Sequence, residues 1–353
     1  MVRRFLLNLG VNLATGFLLF FFSERLFWTV FKPGDRVMDL VITWLAYSVL
    51  ACVFLNILKQ SAENELPRVA LAGAVYGWLG EGALVGTLYG TESSAPFPLS
   101  IVQTGLSWHM LISVVVGWHF LTGSVREGSF VKTALIAAGV GLFWAAWAPF
   151  QWRETPPVVV SIGAFVTHAA INGLLLAIAC GVLSSGAWNR YKPGWFGLGV
   201  SILFLAVFYS EQVKALGVRP LILLPLLVGG VLALLWWTRG KSGSLDPAEG
   251  SVAASKCGKE GESSLSVHAP GKSEDSSPRL LQAKMRWKCA AGIMVMPATA
   301  STGYAVQMLI ETKGINPAWI FHGLALVGGV VFATATGIVI GKRVAKPRKL
   351  FEG

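Results

Sequence analysis

Long apolar runs separated by short polar segments dominate the chain. The runs are about 17–27 residues long, which suits α-helices that cross a hydrocarbon layer about 30 Å thick at 1.5 Å per residue. Strands of a membrane barrel would be about ten residues long and would alternate between apolar and polar positions. The pattern therefore predicts an all-α polytopic membrane protein with about ten transmembrane helices. The predicted spans are 5–31, 37–58, 68–89, 98–122, 130–152, 157–183, 195–210, 220–238, 288–310 and 317–341.

The composition changes abruptly at residues 239–286, where Ser, Gly, Lys, Glu and Pro replace most of the apolar residues. Such a stretch cannot bury enough apolar surface to offset the entropy that it would lose on ordering. We expect a disordered cytoplasmic linker here. It divides the chain into an eight-helix membrane body at 1–238 and a two-helix membrane piece with a basic tail at 287–353.

The overall composition supports the membrane class, because 54% of the residues are apolar, only 13% are charged and the mean hydropathy is +0.61. The net charge of +11 does not indicate a nucleic-acid partner, since the basic residues lie at helix ends and tails and are not interleaved with aromatic residues. The short segments on the predicted inner side carry more Lys and Arg than those outside. This asymmetry predicts a multi-pass protein of the cell (cytoplasmic) membrane, with both termini in the cytoplasm and membrane lipids as its surroundings.

The third predicted span carries Glu81 deep inside an apolar run. A charged side chain at the centre of a membrane helix costs about 2.5–3.5 kcal/mol, so Glu81 needs a stabilising partner or a chemical role. A protonated carboxyl hydrogen-bonded to a neighbouring helix is one explanation, and catalysis is the other. The same span is rich in glycine, which lets neighbouring backbones approach closely and places Glu81 against other helices. These glycines are Gly73, Gly77, Gly80, Gly82, Gly86 and Gly90.

Two histidines lie at a similar depth in other spans. Measured from loops on one side, Glu81 is about 12 Å deep, and His109 and His168 are about 16 Å deep, at 1.5 Å per residue. Asn172 follows His168 by four residues, which places both side chains on one helix face. The sequence thus predicts that Glu81, His109, His168 and Asn172 converge on one cavity near the midplane. The other histidines, His119, His268 and His322, are expected to be structural or surface residues.

The order of these motifs resembles the CPBP family of intramembrane proteases, which includes CAAX-prenyl-protease and bacteriocin-processing-like proteins. That family carries Glu-Glu-x-x-x-Arg, Phe-x-x-x-His and His-x-x-x-Asn on separate helices. Here the matching stretches are Gly80 to Tyr89, Leu106 to His109 and His168 to Asn172, within about residues 68–183. One glutamate is present where the family has two, Val85 or Gly86 stands in place of the arginine, and Gly105 replaces the phenylalanine.

The resemblance implies a glutamate-dependent peptidase or related hydrolase, or an inactive relative that keeps the scaffold. Glu81 would be the general base that activates water, His109 its partner, and His168 and Asn172 the donors to the oxyanion. A membrane peptide or protein is the implied substrate, and no cofactor is implied. Donors that are already oriented stabilise a developing charge most where water is scarce, which gives the assignment a physical basis independent of the family.

Three alternatives remain open. Zinc bound by Glu81, His109 and His168 is less favoured, because the sequence has no HExxH motif and no obvious fourth ligand, and its four cysteines form no close pair. A proton-coupled or small-solute carrier could use the same residues as a titratable relay, although we find no repeated halves. A non-catalytic scaffold or maturation factor is the third. Outside these motifs, Glu24 and Arg25 are expected to form interfacial ion pairs or a substrate gate.

Overall fold

The computed structural model describes residues 2–29, 36–60, 65–92, 95–153, 157–238, 278–309 and 317–345. These residues form an all-α structure, with no strand in any of the seven ranges. We number the main helices in chain order. They are α1 (Val2–Ser23), α2 (Val37–Gln60), α3 (Leu66–Leu79), α4 (Ile101–Leu121, wound as a π-helix), α5 (Phe130–Trp147), α6 (Ile162–Val182), α7 (Trp195–Leu216), α8 (Val218–Trp237), α9 (Pro278–Ala291), α10 (Val295–Leu309) and α11 (Pro317–Val344).

Nine helical stretches of the described chain are long and apolar enough to cross a membrane, which confirms the all-α polytopic class. They correspond to nine of the ten predicted spans. The stretches are Arg3–Phe27, Val37–Gln60, Ile101–Glu127, Phe130–Trp152, Ile162–Arg190, Trp195–Leu216, Val218–Trp237, Lys284–Leu309 and His322–Val344.

The tenth predicted span, 68–89, is the glycine-rich one, and the structure builds it from three pieces. Helix α3 continues into a π-helical turn at Gly80–Val85, and a 3₁₀ turn follows at Thr87–Tyr89. Gly86, at φ 83°, separates the two turns in the left-handed conformation that glycine adopts without strain. From Val69 to Trp78 every residue of α3 is buried. This segment therefore lies inside the bundle, surrounded by helices that face lipid.

Local signals in the sequence set several helix boundaries. Ser129 and Ser161 precede α5 and α6, and their hydroxyls accept hydrogen bonds from the amides of Lys132 and Ala164. Such bonds satisfy backbone donors that a helix start leaves free. The boundary predicted at residue 210 was too early, because α7 continues to Leu216 through a polar stretch.

The two C-terminal helices pack into the bundle, although the sequence analysis set them apart as a separate piece. Helix α10 packs against α5 and α6, and α11 packs against α3 and α4. The Tyr304 hydroxyl donates to the Val160 carbonyl oxygen at 2.9 Å. A Cβ at Gly141 would lie 2.4 Å from the Met296 carbonyl oxygen, and one at Gly173 would lie 2.8 Å from Pro297. Glycines on α5 and α6 thus provide the space for α10.

The predicted disordered linker at 239–286 was partly wrong. Residues 239–277 lie outside the described residues, but residues 278–286 belong to the helix Pro278–Ala291. This helix has basic residues among apolar ones, which is typical of a helix at a membrane surface. The last part of the polar stretch therefore forms a helix that is only partly buried, which explains its polar composition.

Candidate functional site

The site depends on an unusually close approach of α3 and α4. A Cβ added to Gly77 would lie 2.2 Å from the Gly105 carbonyl oxygen and 2.9 Å from the His109 Cβ. The Trp78 indole N–H also donates to the Ile101 carbonyl oxygen at 3.0 Å. Because glycine leaves this space open, the His109 side chain reaches the end of α3.

Glu81 lies on the π-helical turn that ends α3, and both of its carboxylate oxygens have partners. His109 Nε2 is hydrogen-bonded to Oε1, and the Thr87 hydroxyl donates to Oε2. The Tyr89 hydroxyl holds the turn by donating to the Gly82 carbonyl oxygen at 2.7 Å. The Glu81 side chain is 13% exposed. The structure therefore holds one carboxylate in a fixed orientation, close to an imidazole and largely shielded from solvent.

The second nitrogen of His109 faces Ser23, at the end of α1. His109 Nδ1 lies 2.8 Å from the Ser23 hydroxyl, which also lies 2.9 Å from the Tyr76 hydroxyl and 2.8 Å from the Ser113 hydroxyl. The ring can donate from Nε2 to the carboxylate while it accepts at Nδ1 from the serine. A continuous chain of hydrogen-bonded groups thus runs from Glu81 through His109 to Ser23.

Tyr47 places a second carboxylate near this chain. Its ring centroid is 6.4 Å from that of His109, and its hydroxyl donates to Glu24 Oε1 at 2.9 Å. Glu24 follows Ser23 directly in the sequence. Glu24 thus bonds to the tyrosine, and Glu81 to the histidine, of one ring contact.

His168 and Asn172 form a separate pair on α6, one helical turn apart. Asn172 Nδ2 donates to the His168 carbonyl oxygen at 2.8 Å and lies 3.4 Å from His168 Nδ1. Arg25 Nη2 lies 3.5 Å from the same ring nitrogen. The ring packs edge-on against Trp144, with centroids 5.8 Å apart. His168, Asn172 and Arg25 are all buried.

The four residues predicted from the sequence thus form two pairs, Glu81 with His109 and His168 with Asn172. The segment Ser23, Glu24 and Arg25 joins them, since Ser23 contacts the first pair and Arg25 the second. Ser23 was not among the predicted site residues, and Arg25 was predicted at an interface, whereas Arg25 is only 4% exposed. The available signal was three consecutive polar residues directly after the phenylalanine-rich run of the first span.

An apolar groove leads from the side of the bundle to the second pair. It has a volume of about 440 Å³ and lies between α1, α2 and α6. Its lining is apolar except near Arg25 and Asn172. Phe17, Trp44 and Leu175 are among its apolar walls. A groove of this kind can admit an apolar chain from the lipid layer to a small set of polar groups.

Within the described ranges, no three His, Cys, Asp or Glu side chains are grouped closely enough to hold a metal ion, and this includes Glu81, His109 and His168. His322 is exposed on α11, His119 lines a polar pocket at the end of α4, and His268 lies outside the described residues.

Comparisons with family models, curated proteins and solved structures give no match to this chain.

Proposed function

We propose that this protein is a glutamate-dependent hydrolase of the membrane that acts on a peptide, or on another amide or ester, of a membrane substrate. The observation that carries the proposal is the hydrogen-bonded series Glu81, His109 and Ser23, continued along the chain to Arg25 beside His168. This arrangement joins a base at the end of α3, a histidine partner on α4 and hydrogen-bond donors on α6 through the end of α1. The resemblance to the CPBP family implies the roles of Glu81, His109, His168 and Asn172 in this reaction.

In the proposed reaction, Glu81 takes a proton from water, and the resulting hydroxide attacks the substrate carbonyl carbon. His109 and Thr87 orient the carboxylate, and they leave lone pairs on both oxygens, because a carboxylate offers about four acceptor positions. The proton then passes to the leaving amine or alcohol as the bond to the carbonyl carbon breaks. General-base catalysis of this kind contributes about 10²–10⁴-fold to the rate.

Arg25, Asn172 and His168 are the proposed donors to the oxyanion that forms on the carbonyl oxygen. Arg25 adds a positive charge to the pair that was predicted from the sequence. Arg25 would thus supply the positive charge that the CPBP family carries on the arginine of its first motif, which this sequence lacks. A fixed cation in a shielded site stabilises a developing negative charge more strongly than it would in water.

The lateral groove supports a membrane substrate over a soluble one. Its apolar walls suit the side chains of a membrane peptide, and its polar end lies at Arg25 and Asn172. We infer from the asymmetry of basic residues that the protein lies in the cell membrane with both termini in the cytoplasm. The substrate carbonyl would then reach the donors from within the lipid layer.

The test uses the purified full chain in liposomes with a mixture of labelled synthetic transmembrane peptides, and mass spectrometry detects cleavage. We expect cleavage by the wild type and at least a hundredfold loss in Glu81→Gln. The matched control is Glu92→Gln, an exposed carboxylate in the loop after the Thr87–Tyr89 turn, which should keep the activity. Equal activity in wild type and Glu81→Gln, or no cleavage of any peptide by the wild type, would count against the hydrolase.

One observation supports a second candidate function, that of a proton-coupled carrier. The chain from Glu81 through His109 and Ser23 to Tyr76 consists entirely of groups that can pass a proton. A proton-coupled carrier would use it as a relay. The same liposomes, loaded with a pH-sensitive dye and given a pH gradient, separate the two functions. Gradient loss that depends on Glu81 without peptide cleavage would favour the carrier.

A further inference from the structure

The polar pocket that His119 lines, at the end of α4, has no part in the proposed hydrolysis. It has a volume of about 470 Å³ and lies where α4, α5 and α6 end or begin on the predicted inner side. Its described lining includes the basic residues Arg126, Lys132 and Arg286 and the carboxylate of Glu127. Lys132 is paired with Glu127 at 2.7 Å. Among the described residues of the lining, positive charges therefore outnumber negative ones.

Helix α9 closes one side of this pocket and brings Arg286 to it. Arg286 Nη1 donates to the Ser184 carbonyl oxygen at 2.8 Å, which uses one of the five donors of a guanidinium. The residues on either side of Arg286, Met285 and Trp287, pack α9 against the bundle. A Cβ at Gly181 would lie 2.3 Å from the Trp287 ring, and one at Gly128 would lie 2.8 Å from the Met285 methyl group. Arg286 is thus held in place by packing on both sides.

Ser184 supplies an independent sign that the pocket takes a ligand. Its side chain is 1% exposed, and its hydroxyl has no hydrogen-bond partner among the described residues. It lines the pocket on a π-helical turn, Leu183–Ala187, in which Gly186 adopts φ 86°. A buried hydroxyl without a partner is costly, and an acceptor in the pocket would satisfy it.

We propose that this pocket binds a phosphate-bearing anion, with Arg126 and Arg286 as the charged donors and Ser184 as a neutral donor. Guanidinium groups match the geometry of phosphate oxygens and form strong charge-assisted hydrogen bonds with them. Basic pockets between helices at the inner face of a membrane are typical sites for anionic lipid headgroups. A soluble phosphate ester offers the same chemistry, and the experiment separates the two sources.

The experiment measures the thermal unfolding midpoint of the full chain in a non-ionic detergent, followed by tryptophan fluorescence. Three probes are titrated separately: phosphatidylglycerol, zwitterionic phosphatidylcholine and glycerol phosphate. A ligand that binds only the folded state raises the midpoint in a saturable way. We expect this from phosphatidylglycerol, from glycerol phosphate or from both, and not from phosphatidylcholine. A response to phosphatidylglycerol alone identifies the lipid as the source, and saturation by glycerol phosphate identifies the soluble ester.

Two variants test the pocket, and one controls for charge. Arg286→Gln should weaken the apparent affinity about tenfold or more, since it removes a charge-assisted hydrogen bond. Lys288→Gln, an exposed basic residue two positions further along α9, should change the affinity less than twofold. Ser184→Ala should weaken binding while the midpoint without ligand stays equal or rises, because the variant removes a buried hydroxyl that has no partner.

Three results would overturn the proposal. The first is an equal response to phosphatidylglycerol and phosphatidylcholine. The second is equal weakening by Arg286→Gln and Lys288→Gln, which would indicate general attraction of anions to a basic surface. The third is no response to either anionic probe. Should Arg286→Gln fail to fold, the Ser184→Ala titration decides alone, since unchanged affinity in that variant contradicts the site. None of these outcomes depends on whether the protein hydrolyses peptides.

Discussion

At the residue scale, two partners stabilise the largely shielded carboxylate of Glu81. His109 and Thr87 bind its two carboxylate oxygens. A buried carboxylate is stable only when such groups compensate for the loss of hydration. The same contacts fix the direction of its lone pairs, so they serve stability and the proposed chemistry together.

The variant Glu81→Gln separates these two roles. We expect the unfolding midpoint to stay equal or rise, because an amide is cheaper to bury than a carboxylate and can still bond to His109 and Thr87. Hydrolysis should be lost, since an amide cannot take a proton from water. Thermal unfolding and the liposome assay, run on the same preparation, measure both. A folded variant with full activity would show that the carboxylate is only structural.

Ser23 is expected to matter for stability in its own right. Its hydroxyl serves His109, Tyr76 and Ser113 at once. Ser23→Ala should therefore leave several buried groups with one partner fewer and cost about 1–3 kcal/mol. Ser210→Ala is the control, because the Ser210 hydroxyl is exposed and bonds only within its own helix. Similar unfolding free energies for the two variants would show that the hydrogen bonds of Ser23 do not stabilise the folded state.

At the element scale, the contact between α3 and α4 decides whether the site exists. Gly77 and Gly105 let the two backbones touch, and this contact carries His109 to Glu81. The glycine pattern predicted close packing. That pattern does not show which helix packs against α3 or in which register, because a row of small residues fits any neighbour with a matching surface.

Gly77→Ala should be destabilising by about 1–3 kcal/mol, the usual cost of forcing extra atoms into a packed interface. Its Cβ would meet the Gly105 backbone at 2.2 Å, and backbone cannot move aside as a side chain can. Gly199→Ala on α7 is the matched control, since its Cβ would meet nothing within 4 Å. That control should be neutral or stabilising by up to about 1 kcal/mol. Chemical unfolding of both variants measures the difference.

The start of α3 is tied to the end of α11 by an ion pair whose strength should depend on pH. Glu65 Oε2 lies 3.1 Å from Lys342 Nζ and 3.5 Å from Arg68 Nε. The hydrogen bond from Lys342 holds the pKa of Glu65 below its ordinary value of 4.5. A carboxyl with a lowered pKa stabilises the folded state fully above its unfolded pKa, and this contribution is lost as the pH falls through the folded value.

We therefore expect wild type to lose slightly more stability than Glu65→Gln when the pH falls from about 6 to below 4. The difference should be small, because the Glu65 side chain is 41% exposed and solvent screens the pair. Lys342→Gln should reduce the pH dependence in the same direction. Unfolding midpoints at a series of pH values measure the effect, and identical slopes for wild type and both variants would contradict it.

At the scale of the whole molecule, the C-terminal helices belong to the bundle that carries the site. Helix α10 fills the space beside Gly141 and Gly173, and α11 packs on α3 and α4. A chain cut after residue 238 would expose these apolar faces to lipid and leave the Tyr304 contact to Val160 unmade. The described helices therefore act as one packed unit.

One replacement and one deletion test this arrangement. Replacing residues 240–277 with a Gly/Ser segment of similar length should leave the unfolding midpoint unchanged, since the composition of that stretch offers no core. Removing residues 278–353 should lower the midpoint or prevent purification as a single species. Size-exclusion chromatography and thermal unfolding in detergent measure both. Loss of the fold on linker replacement would show that the stretch packs against the bundle.

The sequence by itself determined the class of the protein and the approximate limits of its helices. In a lipid layer, every backbone N–H and C=O group must form its hydrogen bond within the protein. A long apolar run that crosses the layer therefore forms a helix. It also indicated the two chemical pairs. Glu81 stands out because a carboxyl in an apolar run is costly, and the spacing of His168 and Asn172 places them on one helix face.

Only the tertiary structure decided what lies between those pairs. Ser23 and Arg25 look like the polar end of the first span, and their role depends on where α1 ends relative to α4 and α6. The partly buried α9 and the basic pocket beside it also arise from packing between segments far apart in the chain. Helix formation is governed by local hydrophobicity, whereas these contacts depend on the shapes of whole helix faces, which no single stretch of sequence contains.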